Sequence, residues 1–170
     1  MGHHAEIARF VLSAVFAFLC PLLSTAETQT TERPEDWPEG SAMHTGLLLV
    51  KERDKLDKQL ADKHEELLKL LTAAPPGETS GTDPRLIAAI KSQEAAWLKY
   101  RTDECELVGT LTGAGGSWPS TYAVKCEVKL TKQRLRTMQS AAQCIKKSRP
   151  EDRLSEQNEC LSQLAPIGGK

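Results

Sequence analysis

Leucines recur every three to four residues between positions 46 and 71, among lysines, aspartates and glutamates. This spacing predicts an amphipathic helix, because it lines the leucines up on one face. His64 lies on the same face, and we expect it to pack by its ring edge, since no second His or Cys lies a turn away to complete a site. Pro75-Pro76-Gly77 ends the helix. The leucines of the face are Leu49, Leu56, Leu60, Leu67 and Leu71.

A second helix is predicted over residues 85–108. Asp83 is placed to cap its N-terminus, and Pro84 is suited to its first position. Leu86, Ile90 and Trp97 share its apolar stripe. Residues 109–119 break the helical pattern, which predicts a loop of about eleven residues, longer than the roughly two to eight residues usual between helices.

A third helix is predicted from Ser120 or Thr121, either of which is suited to cap it, to about residue 145. A short fourth helix follows Pro150, over residues 154–164. The strand-like run at 47–50 is the exception to a helical pattern throughout. The predicted fold is therefore all-α: a disulfide-stapled antiparallel helical hairpin or bundle of about four helices. The buried stripe of the third helix reads Ala123, Cys126, Leu130, Arg134, Met138, Ala141 and Ile145.

Four cysteines follow position 26, an even number that predicts two disulfides in an oxidising compartment. Cys126 and Cys144 would lie about 27 Å apart on one helix, whereas a disulfide needs Cα atoms roughly 4.4–6.8 Å apart. In a hairpin that turns at residues 113–117, Cys105 faces Cys126, which leaves Cys144 for Cys160. A zinc site is not expected, because no two of these cysteines are closely spaced.

The N-terminus has the pattern of a secretory signal peptide. An apolar run over residues 10–23 follows Arg9, and cleavage is expected after Ala26. The run is shorter than the about 20 residues that cross a bilayer and contains Pro21, so no membrane span is expected after cleavage. The residues before Cys20 do not form a good lipobox, so cleavage after Ala26 is expected rather than lipidation of Cys20.

The chain is predicted to have three segments. Residues 1–26 are the signal peptide, residues 27–44 a flexible acidic arm, and residues 45–165 a single helical domain. Trp37 is the one aromatic residue of the arm and is expected to anchor it on the bundle. The expected location is periplasmic or secreted, and the sequence does not define the oligomeric state.

Charge and motifs exclude several classes of function. Lys and Arg number 22 against 23 Asp and Glu, a net charge of −1, so no basic excess indicates nucleic-acid binding. Ser117 follows two glycines, but no histidine is placed beside it by sequence, and no metal-ligand or cofactor motif is present. We therefore expect neither an enzyme nor a bound metal or cofactor, and we expect a protein partner.

Arg134 lies on the buried stripe of the third helix. Because an unpaired buried charge is strongly disfavoured, the arginine is expected to have a partner in the core. Antiparallel counting along the hairpin places Glu94 and Trp97 near it. We therefore predict a Glu94–Arg134 ion pair with Trp97 stacked beside it, a structural role rather than a recognition role.

The loop between the second and third helices is the candidate binding element. Loops on rigid scaffolds carry function more often than their length would imply. This loop offers backbone N–H groups, one hydroxyl and one aromatic ring, from Gly115, Gly116, Ser117 and Trp118. The alternative, in which the loop folds back on the bundle with Trp118 as a plug, fits the sequence equally well.

The central part of the chain contains an ordered set of residues: a Gln-x-x-x-Trp-x-x-Tyr-Arg-x-x-x-Cys run, a Gly-Gly-Ser turn, and a Cys and an Arg on the following helix. This set resembles the LprI-like lysozyme inhibitor domain, a family of small secreted or envelope-attached helical bacterial proteins. The residues that carry the resemblance are Gln93, Trp97, Tyr100, Arg101, Cys105, Gly115, Gly116, Ser117, Cys126 and Arg134.

The resemblance implies a secreted or periplasmic protein that inhibits a lysozyme by protein–protein binding. Lysozymes work with two carboxylates in a cleft, and an inhibitor needs only to occupy that cleft. The competing interpretation is a structural or interaction module of the cell envelope without inhibitory activity.

Overall fold

Four α-helices form the framework of the protein: α1 (Ala42–Thr72), α2 (Pro84–Leu111), α3 (Trp118–Lys147) and α4 (Arg153–Ser162). They are seen in a computed structural model that describes residues 32–73 and 82–165, and no strand occurs within those ranges. Short 3-10 turns at Pro34–Asp36 and Pro150–Asp152 precede α1 and α4. The predicted all-α fold is confirmed. The predicted signal peptide and Cys20 lie outside the described residues.

Helix α3 runs through the centre of the bundle and packs against each of the other three helices. Contacts between α1 and α3 advance in the same direction along both helices. Near the start of each helix Thr121 bonds to Ala42, and near the end Lys146 bonds to Glu66. These two helices are therefore parallel. Because α2 precedes α3 through a short turn, it runs antiparallel to both.

The predicted leucine face of α1 is confirmed. It packs on α3, where Met138, Ala141 and Ile145 are fully buried. Leu49 is only half-buried and contacts the edge of this core. Helix α4 closes the core through Cys160 and Leu161, together with Leu164 just after the helix. The fully or nearly buried residues of the face are Leu56, Leu60, Leu67 and Leu71.

Helix α1 begins at Ala42, capped by Ser41, whose hydroxyl accepts a hydrogen bond from the His44 N–H at 3.2 Å. Residues 42–44, assigned to the arm from the sequence, thus lie in the first helical turn. Pro34 is the buried residue of the preceding segment, and its carbonyl oxygen lies 3.1 Å from His44 Nδ1. Trp37, the expected anchor, is 37% exposed, and its anchoring role stays a prediction.

Both predicted disulfides form. The Cα atoms of Cys105 and Cys126 are 5.4 Å apart, and those of Cys144 and Cys160 are 5.5 Å apart. The first disulfide joins α2 to α3 near the turn of the hairpin. The second holds α4 against the end of α3, across the Pro150–Asp152 turn.

The turn between α2 and α3 is shorter than the sequence predicts. Helix α2 continues to Leu111 and α3 already begins at Trp118, so the connecting loop is residues 112–117. The N-cap of α3 is Ser117 rather than Ser120 or Thr121. Pro119 lies in the first turn of α3, where its missing N–H has no helical partner to lose.

Candidate functional site

The loop of residues 112–117 forms the tip of the α2–α3 hairpin, and with Trp118 we call it the hairpin tip. Gly113 and Gly116 have φ angles of +61° and +62°, in the left-handed region that favours glycine. The Thr112 hydroxyl donates to the Gly109 carbonyl oxygen at 2.7 Å, so it caps the end of α2. Nothing lies within 4 Å of the position of a Cβ at Gly115, so the apex of the loop is open.

The base of the hairpin tip is held from several sides. The Cys105–Cys126 disulfide crosses it, with Cys105 fully buried. On the side of α1, the Thr121 hydroxyl donates to the Ala42 carbonyl oxygen at 2.9 Å. Gly109 allows α2 to approach α3 so closely that a Cβ there would lie 2.4 Å from the Pro119 carbonyl oxygen. The loop is therefore presented by a fixed scaffold.

The tip presents a run of free hydrogen-bond donors. The N–H groups of Gly115, Gly116 and Ser117 make no hydrogen bond within the part of the chain that the structure describes. The Ser117 carbonyl oxygen accepts from the N–H of Thr121 at 3.1 Å and from the hydroxyl of Ser120 at 2.9 Å, whereas the Ser117 hydroxyl does not cap the helix. Consecutive free N–H groups beside a helix N-terminus are suited to bind an anion such as a carboxylate.

Trp118 lies at the edge of the tip rather than at its apex. It is the first residue of α3 and is half-buried. Its ring centroid is 5.8 Å from that of Tyr122, with the two planes tilted by 33°. The side chain packs on α3, as a plug would, while part of its surface stays accessible beside the loop, as a binding residue requires.

Arg134 forms the predicted buried ion pair with Glu94. Its Nη2 lies 2.8 Å from Glu94 Oε2, and both residues are more than nine-tenths buried. The same guanidinium donates to the Leu164 carbonyl oxygen at 3.1 Å and to Gln93 Oε1. Trp97 lies beside it, with its ring centroid 5.6 Å from the guanidinium carbon. All three guanidinium nitrogens are engaged inside the protein, which supports the predicted structural role of Arg134.

A second buried arginine, Arg101, was not predicted to be paired. It forms an ion pair with Asp57 of α1 and donates to the Thr131 hydroxyl of α3 at 2.7 Å. Its guanidinium carbon also lies 5.6 Å from the Trp97 ring centroid. Trp97 therefore contacts two cations. Gln93, Trp97, Arg101 and Arg134 form one network that joins α1, α2 and α3 and reaches Leu164, just after α4.

Tyr100, the remaining residue of the Gln-Trp-Tyr-Arg run, does not belong to this network. Its side chain is 54% exposed, on a side of α2 that faces solvent. Leu107, Val108 and Leu111 continue the same exposed side of that helix, and Leu111 is 74% exposed. The sequence interpretation missed this row, although spacings of seven, eight and eleven residues from Tyr100 indicate one helical face.

A polar cavity of about 420 Å³ lies between α1 and α2, next to the arginine network. His64 lines it. Its side chain is half-buried, and its Nε2 is buried without a hydrogen-bond partner among the described residues. Within the same ranges no group of three or more His, Cys, Asp or Glu side chains could hold a metal ion. None of the helices in these ranges is long and apolar enough to cross a membrane.

Comparison with known proteins gives one family. The family described as "Lysozyme inhibitor LprI" matches residues 40–138, which cover α1, α2, the hairpin tip and most of α3. Comparison with curated proteins and with solved structures gives no match. The matched range holds the Trp97 network, the Cys105–Cys126 disulfide and the Gly115-Gly116-Ser117 turn in one hairpin. The chain belongs to the lysozyme inhibitor LprI family.

Proposed function

We propose that this protein inhibits a lysozyme by inserting the hairpin tip into the catalytic cleft of the enzyme. Membership of the lysozyme inhibitor LprI family supports a protein partner of this kind. The two disulfides fit the oxidising periplasm or exterior of a cell, where a lysozyme would be met. The proposal assigns the contact to Gly115, Gly116, Ser117 and Trp118.

The observation that carries the proposal is the run of three free N–H groups at the end of a fixed hairpin. Lysozymes hold two carboxylates in their cleft, at least one of them ionised. Backbone N–H groups bind such an oxygen without the cost of ordering a long side chain. Because the scaffold already holds the loop, little conformational entropy is lost on binding.

Trp118 and Tyr122 add an apolar edge next to these donors. Aromatic side chains contribute strongly to protein–protein binding, and a tryptophan ring also stacks well on the face of a sugar ring. A cleft that binds a glycan therefore matches both parts of the tip: donors for its carboxylates and a ring for its sugar subsites.

The first experiment is a lysis assay. The mature protein is mixed with hen-type and bacterial muramidases, and the clearing of cell-wall suspensions is followed. Slower clearing by at least one enzyme is expected. If lysis proceeds at the uninhibited rate with every enzyme, inhibition is wrong, and the protein is an interaction module of the envelope.

The second experiment tests the tip itself. Gly115→Glu places a carboxylate where a Cβ meets nothing within 4 Å, so the fold is expected to be kept while the new charge repels the acidic cleft. Gly115→Ala controls for size, and Gln59→Glu, on the exposed side of α1, controls for charge. Inhibition by Gly115→Glu at the wild-type level would place the contact elsewhere.

A further inference from the structure

The structure has a second surface that the hairpin tip does not explain, a groove that runs along α3 between α1 and α2. We propose that this groove binds an acidic amphipathic helix of a partner protein. It encloses about 720 Å³, within the range of ligand pockets in proteins. We call it the basic groove; its lining includes Glu52 of α1, Tyr100 and Val108 of α2, and Tyr122, Lys129 and Arg136 of α3.

The wall formed by α2 is apolar and exposed. Tyr100 and Val108 line it, and Tyr122 faces them from the start of α3. All three side chains are at least 38% exposed. Leu107 and Leu111 extend the same row towards the hairpin tip. Large apolar side chains left in water along one side of a helix indicate an interaction surface, because a folded monomer gains nothing from exposing them.

The wall formed by α3 is cationic. Lys125, Lys129, Lys132 and Arg136 are spaced by four, three and four residues, so they share one face of the helix, and all four are exposed. Within the described residues Lys132 is the one that forms an ion pair, to Glu52 at 2.6 Å. The other three have their charges available to a partner.

These charges define the geometry of the partner. Lys125 and Arg136 are eleven residues apart, about 16 Å along α3. A partner helix with carboxylates four and eleven positions apart along one side presents them at the same spacing. Leucines on the adjoining face of that helix would meet the tyrosine wall, which is the usual arrangement of a helix in a groove.

Two acidic residues on the groove favour such a helix over a uniform polyanion. Glu52 lines the side of α1, and Glu104 lies between Tyr100 and Val108 on α2. Both repel an unbroken series of phosphates or sulfates, whereas a helix with mixed residues places apolar groups beside them. The whole chain carries a net charge of −1, so no long-range attraction draws it to a polyanion or an anionic membrane.

The test uses a synthetic helical peptide of about 20 residues, long enough to cover the groove. It carries glutamates at the spacing given above and leucines on the adjoining face, and a second peptide has lysines in place of the glutamates. Binding of the labelled peptides is measured by fluorescence anisotropy at low and high salt. The groove variant combines Lys125→Glu, Lys129→Glu and Arg136→Glu.

The matched control reverses the charge of three exposed lysines that do not line the groove: Lys51→Glu, Lys58→Glu and Lys91→Glu. A third variant, Tyr100→Ser, tests the apolar wall without changing charge. We expect the acidic peptide to bind the wild type and the control equally, and the groove variant at least tenfold more weakly. Tyr100→Ser should also weaken binding, and the lysine peptide should not bind.

Three outcomes would overturn the proposal. One is equal binding of the acidic peptide to the groove variant and to the control. Another is binding of dextran sulfate or of anionic lipid vesicles, lost in the groove variant, with no binding of the peptide. The last is self-association of the wild type, abolished in the groove variant, with no binding of the peptide, since the groove would then be an interface between two copies of this chain.

Discussion

Gly109 and Pro119 touch so closely that no side chain fits between them. A Cβ at Gly109 would lie 2.4 Å from the Pro119 carbonyl oxygen and 3.1 Å from the Cβ of Ala123. The glycine lies inside α2, where it is otherwise unfavourable. Its role is therefore to let the ends of α2 and α3 meet above the Cys105–Cys126 disulfide.

Gly109→Ala is accordingly expected to destabilise the protein. The substitution gains about 1 kcal/mol of helix propensity, but the backbone of α3 must shift to admit the methyl group, which typically costs about 1–3 kcal/mol and more when backbone must move. We expect a melting temperature several degrees lower by circular dichroism. Gly115→Ala, at an open position without a positive φ, is the control and should change it little. An unchanged Gly109→Ala melting temperature would show that the helices separate at no cost.

Arg134 should tolerate methionine better than alanine. Removing one partner of a buried ion pair costs about 3–5 kcal/mol, and alanine adds a cavity. Methionine fills most of the space but leaves Glu94 unpaired. The Leu164 carbonyl oxygen keeps a second donor, Gln93 Nε2 at 3.2 Å, so Glu94 is the main group left without a partner.

The combination of Glu94→Gln with Arg134→Met should therefore recover part of the stability lost in Arg134→Met alone. Free energies of unfolding from urea titrations of the two single variants and the double variant give the coupling between the residues. Strict additivity of the two changes would contradict the direct contact of 2.8 Å.

The Cys105–Cys126 disulfide should stabilise the hairpin by about 3 kcal/mol in the chain-entropy model, given its sequence separation of 21. Replacement of both cysteines by alanine is expected to lower the melting temperature clearly and to reduce inhibition, because the base of the hairpin tip is no longer fixed. Calorimetry of the oxidised wild type and of the variant measures the first effect. Equal melting temperatures would mean that the packing of α2 on α3 alone holds the tip.

Substitutions at the hairpin tip should weaken inhibition much more than they lower the stability of the protein. Ser117→Ala together with Trp118→Ala is expected to weaken inhibition by about 30-fold, the equivalent of about 2 kcal/mol for a central aromatic contact. Because Trp118 is half-buried on Tyr122, a small decrease in melting temperature should accompany the change. A fall of many degrees with inhibition kept in the folded fraction would show that Trp118 acts only as a plug.

Glu66 should make the protein sensitive to acid. Hydrogen bonds from Lys146 and Lys63 lower the pKa of its carboxyl group from 4.5 to about 2. The stabilisation is therefore complete above about pH 4.5 and is lost as the pH falls towards 2. Wild type and Glu66→Gln should differ in stability at neutral pH and converge over that window. Glu106→Gln, at an exposed glutamate without an ion pair among the described residues, should show no such convergence.

The helices and disulfides followed from the sequence because each rests on strong local signals. The leucine spacing of α1 has one interpretation, and the rise per residue of a helix rules out a bond between Cys126 and Cys144. The Glu94–Arg134 pair followed from the same register.

The sequence was misleading where tertiary contacts override local preference. Gly109 was interpreted as the start of a loop, but α2 continues through it to Leu111, and Pro119 packs against it. Thr131 is fully buried although polar, because Arg101 donates to its hydroxyl. Glu127 is buried for a similar reason, since Arg53 lies 3.1 Å from its carboxylate. For Thr131 and Glu127, nothing in the pattern of α3 reveals these partners on the other helices.

The parallel arrangement of α1 and α3 has an electrical consequence at the hairpin tip. Two helix N-termini and one C-terminus meet there, and each terminus carries a partial charge of about half a unit, positive at the N-terminus. The first turns of α1 and α3 contain no acidic residue to offset it. Because these backbone charges do not titrate, their contribution to binding a carboxylate at the tip should persist at every pH at which the bundle stays folded.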